Sequence, residues 1–229
     1  DQDVQWYLRR RNVEQGMMVG VVARVLREVL ETRVLFLAPF TPHLCEEIWE
    51  ALGGRGFVSV AKWPEYNKSK VDSMALRGEE LVKALYEDVQ SILQATKLTP
   101  KRVTFYVAPS WKWKVYLAAL ELAEEGNLQV STLMKELMTD ANLRGDARRI
   151  SDFAHKIALD LAKAPKEVVD RRVTAGQLDE FTFVSDAKSF FGRELRAEVE
   201  IYEEEDPHKF DPKGRARLSE PYRPAIYIE

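Results

Sequence analysis

The C-terminal stretch sets the cations Lys209, Lys213, Arg215, Arg217 and Arg223 among the rings of Tyr222 and Tyr227. Cations neutralise phosphates and exposed rings stack on unpaired bases, so this combination suits contact with RNA. Ile226 and Ile228 belong to the same candidate surface, and prolines stiffen the path through it. The acidic run from Glu203 to Asp206 would repel RNA and so could set its orientation. The same residues are also compatible with a closing strand whose charges are simply solvated. A second candidate is Trp111-Lys-Trp-Lys114, in which Trp111 and Lys112 are placed as RNA contacts. Trp113 falls at helical spacing with Leu117 and Leu120 and reads as core. The arginine clusters Arg9–Arg11, Arg148-Arg149 and Arg171-Arg172 complete the set, although charge runs are usually solvated faces.

Catalytic patterns are not found. His43, His155 and His208 are widely spaced and have no cysteine partners at zinc spacing. No glycine loop that could cradle a phosphate occurs. Glu46 and Glu47 are adjacent on a helix, so they point about 100° apart and cannot share a substrate atom. The expectation is therefore a chain with no catalytic residue, metal ligand or cofactor of its own.

The whole chain sets bounds on these readings. Its 229 residues are enough for one large or two ordinary domains with ample core. Hydrophobic residues at 45% and charged residues at 31% describe a soluble globular protein. There are 34 Lys+Arg against 37 Asp+Glu, a net charge of −3, so any RNA contact must use local patches. Cys45 is the single cysteine; it cannot form an internal disulfide, which suits a reducing cytosol. No membrane span or signal peptide is evident. Because the sequence begins with Asp, a fragment of a longer chain or a processed product is expected.

The elements that position these residues fall into two grammars. Residues 17–38 read as a helix, with Met18, Val22, Val25 and Val29 buried and Arg24–Glu28 and Arg27–Glu31 paired outside. Pro39 stops it, and Thr41-Pro42 restarts a helix with Thr41 as N-cap. Leu44, Ile48 and Leu52, with Cys45 and Trp49, form its apolar face, and Gly53-Gly54 ends it. A long helix over about 73–98 carries Val82, Leu85, Val89, Ile92 and Thr96 on one side. After Pro100, Val103, Phe105 and Val107 alternate as a half-buried strand. Helices follow over 110–126, near 131–138, over 146–164 and from Ser185 or Asp186 through Phe190-Phe191. Strands are expected near 197–203 and 224–228, giving a small α/β domain. The division proposed is 1–99 and 100–229.

Ala38-Pro-Phe-Thr-Pro-His-Leu-Cys-Glu-Glu-Ile-Trp49, with Trp63-Pro64 after it, resembles the helical anticodon-binding domain of class I aminoacyl-tRNA synthetases. The tail, Glu203 to Arg217 and Glu220 to Ile228, is similar to the C-terminus of archaeal and eukaryotic-type leucyl-tRNA synthetases. This resemblance implies a mostly α fold: a helical-bundle anticodon-binding domain of class I synthetases, then a small α/β C-terminal domain. It implies a cytoplasmic tRNA-recognition portion gripping tRNA(Leu) and its long variable arm, with no DNA or membrane partner. A catalytic domain elsewhere would join leucine to the tRNA with ATP, since neither nucleotide-binding signature of the family is present. Asn67-Lys-Ser-Lys70 resembles one of those signatures only superficially. Association with that catalytic domain or with other synthetase-complex proteins is a further implication. The rival readings are the equivalent region of a valyl, isoleucyl or methionyl enzyme, and a protein–protein docking module.

Overall fold

The computed structural model describes residues 2–11, 19–140 and 143–229. They form two compact units, Asp1–Val71 and Asp72–Glu229.

In the first unit, α1 (Gln2–Arg11) is polar and buries no residue. α2 (Val19–Leu37) and α3 (Pro42–Ala51) meet at a corner made by Pro39 and Pro42. Its core is Val34, Ala38, Cys45 and Val58, flanked by Leu35, Ile48, Trp49 and Leu52. The expected stripe on α2 is only partly realised: Val22 is buried, whereas Val25 is 36% exposed; Met18 lies outside the described residues. Leu44 is also exposed, and Cys45 takes the inward position. Arg27 pairs with Glu31 at 2.7 Å as expected, but Glu28 pairs with Lys70 at 2.5 Å instead of with Arg24. Thr41 caps nothing with its side chain; its hydroxyl donates back to the Leu37 carbonyl at 3.4 Å. Glu46 accepts from the backbone N–H of Val58 (2.8 Å) and Ser59 (3.3 Å), holding the following turn against α3. The ring of Trp63 lies 5.4 Å from that of Phe36.

The second unit begins with α4 (Ser73–Thr96), whose N-cap Asp72 accepts from the N–H of Met74 and Ala75. By packing, the long helix groups with the residues after it. Its buried stripe, Gly78, Leu81, Val82, Leu85 and Val89, sits nearer the N-terminus than expected. The three-stranded sheet has the order β2-β1-β3, with β1 (Arg102–Val107), β2 (Glu198–Glu203) and β3 (Ala225–Ile228). β1 pairs parallel to β2 and antiparallel to β3. Val103, Thr104, Phe105, Tyr106 and Val107 are all buried, so the central strand is covered on both faces rather than half-buried. On one face, Phe105 packs on Phe191 at 4.7 Å between ring centroids. Across the other lies the 204–220 segment, to which the Tyr106 hydroxyl donates at the Phe210 carbonyl (2.5 Å).

Around this sheet come α5 (Ser110–Glu124), α6 (Val130–Leu137), α7 (Ala147–Lys163), α8 (Lys166–Ala175), α9 (Glu180–Asp186) and α10 (Lys188–Leu195). α7 buries Ile150, Phe153, Ile157 and Leu161, the expected face. α8 and α9 are additions to the sequence reading. α8 has a weak apolar stripe that buries only Val169, so periodicity barely marks it. α9 approaches α4 closely: a Cβ on Gly78 would lie 2.1 Å from the Phe183 ring. Gly78→Ala is therefore expected to lower the urea midpoint, since overpacking typically costs about 1–3 kcal/mol and outweighs the helix-propensity gain of about 1 kcal/mol. Adding Phe183→Leu should recover part of the loss.

Candidate nucleic-acid interface

The tail is held in place by a buried ion cluster. Glu204, immediately after β2, is 4% exposed. Lys112 of α5 reaches its Oε2 at 2.5 Å, and Ser219 donates its hydroxyl to the same oxygen at 2.9 Å. Arg149 of α7 binds the other carboxylate oxygen. Lys112 Nζ also donates to the carbonyls of Arg217 (2.9 Å) and Ser219 (2.6 Å). Burial lowers the Lys112 pKa despite the opposing pull of Glu204. Lys112, read from the sequence as an RNA contact, is thus a tether inside the fold, because its four-carbon stem spans from α5 to the tail. Trp111 beside it is half-buried, donating to Glu205 at 3.1 Å under the Arg149 guanidinium at 4.7 Å.

A second anchor holds the turn at residues 220–223. Tyr222 has φ +63, a conformation that a non-glycine residue adopts only when its surroundings hold it. Its N–H donates to Glu180 Oε1 at 2.5 Å, and its hydroxyl donates to the Gly176 carbonyl at 2.5 Å. Its ring packs on Trp113 at 5.1 Å and Tyr116 at 6.1 Å. Burial pushes the hydroxyl up to about 12. Tyr222 is therefore a wedge in the core rather than a base-stacking platform. Glu180 also accepts from the Ala108 N–H at 3.4 Å. Burial pushes its carboxyl up to about 8, against the two backbone donors that favour the charged form.

These anchors divide the remaining candidates between two surfaces. Along the β3 edge, Lys213 lies 5.9 Å from the centroid of the half-buried Tyr227, which packs on Phe210 at 6.2 Å. Arg102 extends the row 4.9 Å from Phe210, sharing its charge with Glu198 at 3.3 Å and Glu200 at 4.0 Å. Neighbouring residues of β3 point to opposite faces, so Ile226 and Ile228, in register with Phe105 and Val103, turn away from Tyr227. On the other surface, Arg215, Arg223 and Ile226 line a groove of about 450 Å³ with Lys156, Asp88 and Glu220. Lys156 and Glu220 are ion-paired there. Arg217 is exposed, with its carbonyl committed to Lys112. Lys209 is half-buried and donates to the Asp206 carbonyl at 3.3 Å. Arg102, Phe210 and Lys156 were missed by the sequence reading. Phe210 sits within the basic tail and could have been included, whereas nothing local marks the other two.

The arrangement can neutralise phosphates at the groove and present a ring flanked by cations at the sheet edge. No cluster of three or more His, Cys, Asp or Glu suited to a metal ion occurs among the described residues. No described helix is long and apolar enough to cross a membrane.

Residues 2–108 match the family model for the anticodon-binding domain of tRNA ligase. The match runs from α1 through α4 into β1. The particular likeness is to archaeal leucine–tRNA ligases. The chain is 38% identical to that of Methanococcoides burtonii over 229 residues, 99% of this chain and 23% of the relative. It is 38% identical to that of Methanosarcina barkeri, over 99% of this chain and 22% of the relative. With that of Pyrococcus abyssi the identity is 36%, over 99% of this chain and 21% of the relative. The chain thus spans little more than a fifth of the length of these relatives.

Two outcomes test the anchors. Lys112→Ala, which strips a partner from a buried carboxylate, should destabilise the second unit by about 3 kcal/mol in urea titrations, while Arg217→Ala should be near neutral. For Glu180, the folded pKa of about 8 lies above the ordinary 4.5. The folded state therefore binds the extra proton, and this group's stabilising contribution fades as pH rises from 4.5 to 8. Thermal unfolding of Glu180→Gln against the parent should show the variant gaining relative stability across that window and levelling above it.

Proposed function

We propose that this chain is the tRNA-recognition portion of a leucine–tRNA ligase, holding tRNA(Leu) and its long variable arm. A catalytic region elsewhere in the longer protein would activate leucine with ATP and charge the tRNA in the cytoplasm. The observation that carries this reading is the similarity to leucine–tRNA ligases over 99% of the chain, from the helical corner through the basic tail. The anticodon-binding family of residues 2–108 supports the choice of RNA as partner. The physical contribution of this portion is position: the exposed cations grip the backbone, and the ring at the β3 edge supplies a stacking face. No chemistry is assigned to these residues, and ATP belongs to the catalytic region.

Arg215, Arg217 and Arg223 are all exposed, and Arg215 and Arg223 have their backbone N–H groups bonded to Asp211 and Glu220. Their side chains can therefore be cut back without unpicking the tail. The triple alanine variant should bind tRNA(Leu) more weakly, with the slope of log affinity against log salt reduced by about two to three. The binding assay compares tRNA(Leu), the same tRNA with a shortened variable arm, and tRNA(Val) at several salt concentrations. Preference for intact tRNA(Leu) supports the proposal. Equal binding to all three moves the discrimination outside this chain, and no binding overturns RNA recognition in favour of protein docking.

A further inference from the structure

A small concavity of about 190 Å³ between α4 and α8 is lined by Arg77, Arg171, Arg172, Glu80, Leu81 and Tyr222. It brings three guanidinium groups against a single carboxylate. Glu80 holds Arg77 at 2.7 Å, the Glu167 carbonyl accepts from Arg171 Nε at 3.1 Å, and Arg172 lies against the Tyr116 hydroxyl, so each of the three arginines is already oriented. The floor is apolar and aromatic, formed by Leu81, Ala84 and Tyr222. Three guanidinium groups lining one pocket with one carboxylate leave a positive excess that an anion can neutralise. Guanidinium forks match the oxygens of a tetrahedral oxyanion in pairs. The space is smaller than the roughly 300 Å³ at which pockets for whole small molecules begin, so it suits a single anionic group.

The pocket also adjoins the tail. Tyr222 forms its floor, while the next residue, Arg223, lines the groove shared with Arg215. The turn Glu220–Arg223 joins them, closed by reciprocal backbone bonds of 3.1 and 2.8 Å.

We propose that Arg77, Arg171 and Arg172 form a phosphate-binding site that takes one backbone phosphodiester of the bound RNA. This deepens the tRNA reading and rests on it for the source of the phosphate. The site continues the cationic track of Arg215 and Arg223 across the turn, giving the RNA backbone a hold on α4 and α8 as well as on the tail.

The experiment has two arms on the full chain. Inorganic phosphate is titrated while the arginine side-chain N–H resonances are followed by NMR, and tRNA(Leu) affinity is measured across a salt series. The proteins are the parent, Arg171→Ala/Arg172→Ala, and Lys163→Ala as an exposed control. The proposal expects a saturable phosphate response that is lost in the double variant alone. It also expects a salt slope lower by about one for that variant, the value of one neutralised phosphate. No phosphate response and an unchanged slope overturn the site. A phosphate response with an unchanged slope overturns the backbone assignment and leaves a free-phosphate site. If the parent binds phosphate but no tRNA, the functional reading fails while the anion site stands, which separates the two failures. A change in the Lys163→Ala slope equal to that of the double variant would also overturn the proposal, since generic charge would then explain both.

Discussion

A carboxylate withdrawn from water must be paired, hydrogen-bonded or protonated, and Glu204 at the end of β2 is held by two cations, Lys112 and Arg149, and by the Ser219 hydroxyl. This requirement settles the path of everything after β2. The 204–220 segment is drawn across the open face of the sheet, which is why Thr104 and Tyr106 are fully buried. Once that crossing is made, Phe210 lies beneath Tyr227, Arg215 and Arg223 face one groove, and β3 is delivered to the free edge of β1. Buried ion clusters add little net stability compared with an apolar core, but a broken one is costly. Their effect here is to single out one arrangement of the tail from the many a polar, proline-containing segment could adopt.

Glu180, the first residue of α9, does comparable work for the turn at residues 220–223. Its carboxyl is satisfied by the backbone N–H groups of Tyr222 and Ala108, with no cation bonded to it among the described residues. The two anchors differ in kind, an ion cluster and a raised-pKa carboxyl, so the crossing and the turn beyond it respond differently to salt and to pH.

The features legible in the sequence were those written in local grammar. Pro39 and Pro42 marked the corner, the α7 stripe of Ile150, Phe153, Ile157 and Leu161 marked its buried face, and alternation marked the strands. What escaped depended on distant partners. Alternation in β1 implied one wet face, because the covering segment lies about a hundred residues away. Lys112 looked like a solvent-facing cation beside a tryptophan, since lysines are rarely buried and its acceptors lie beyond residue 200. Tyr222 looked like an RNA platform because a left-handed conformation is not visible in composition. Glu28 found Lys70 instead of its helical neighbour, since the chain returned a better-placed cation. Of the tail cations, Lys213, Arg215, Arg217 and Arg223 are exposed and Lys209 is half-buried, and their sorting onto two surfaces was not visible without the fold.

The pairing pattern of the sheet has a kinetic consequence. β1 cannot be completed from its neighbours in sequence: Arg102 lies opposite Glu198, and Thr104 opposite Tyr227, with the helices α5–α10 intervening. Closing such long loops must precede any reward from the strand contacts, so sheet formation is slow relative to the helices around it. During that interval the apolar β1 sequence, Val103 to Val107, has both edges open and is the segment of this unit most prone to pair with another chain. The surrounding helices, which form from local contacts, are the elements placed to shelter it until β2 and β3 arrive.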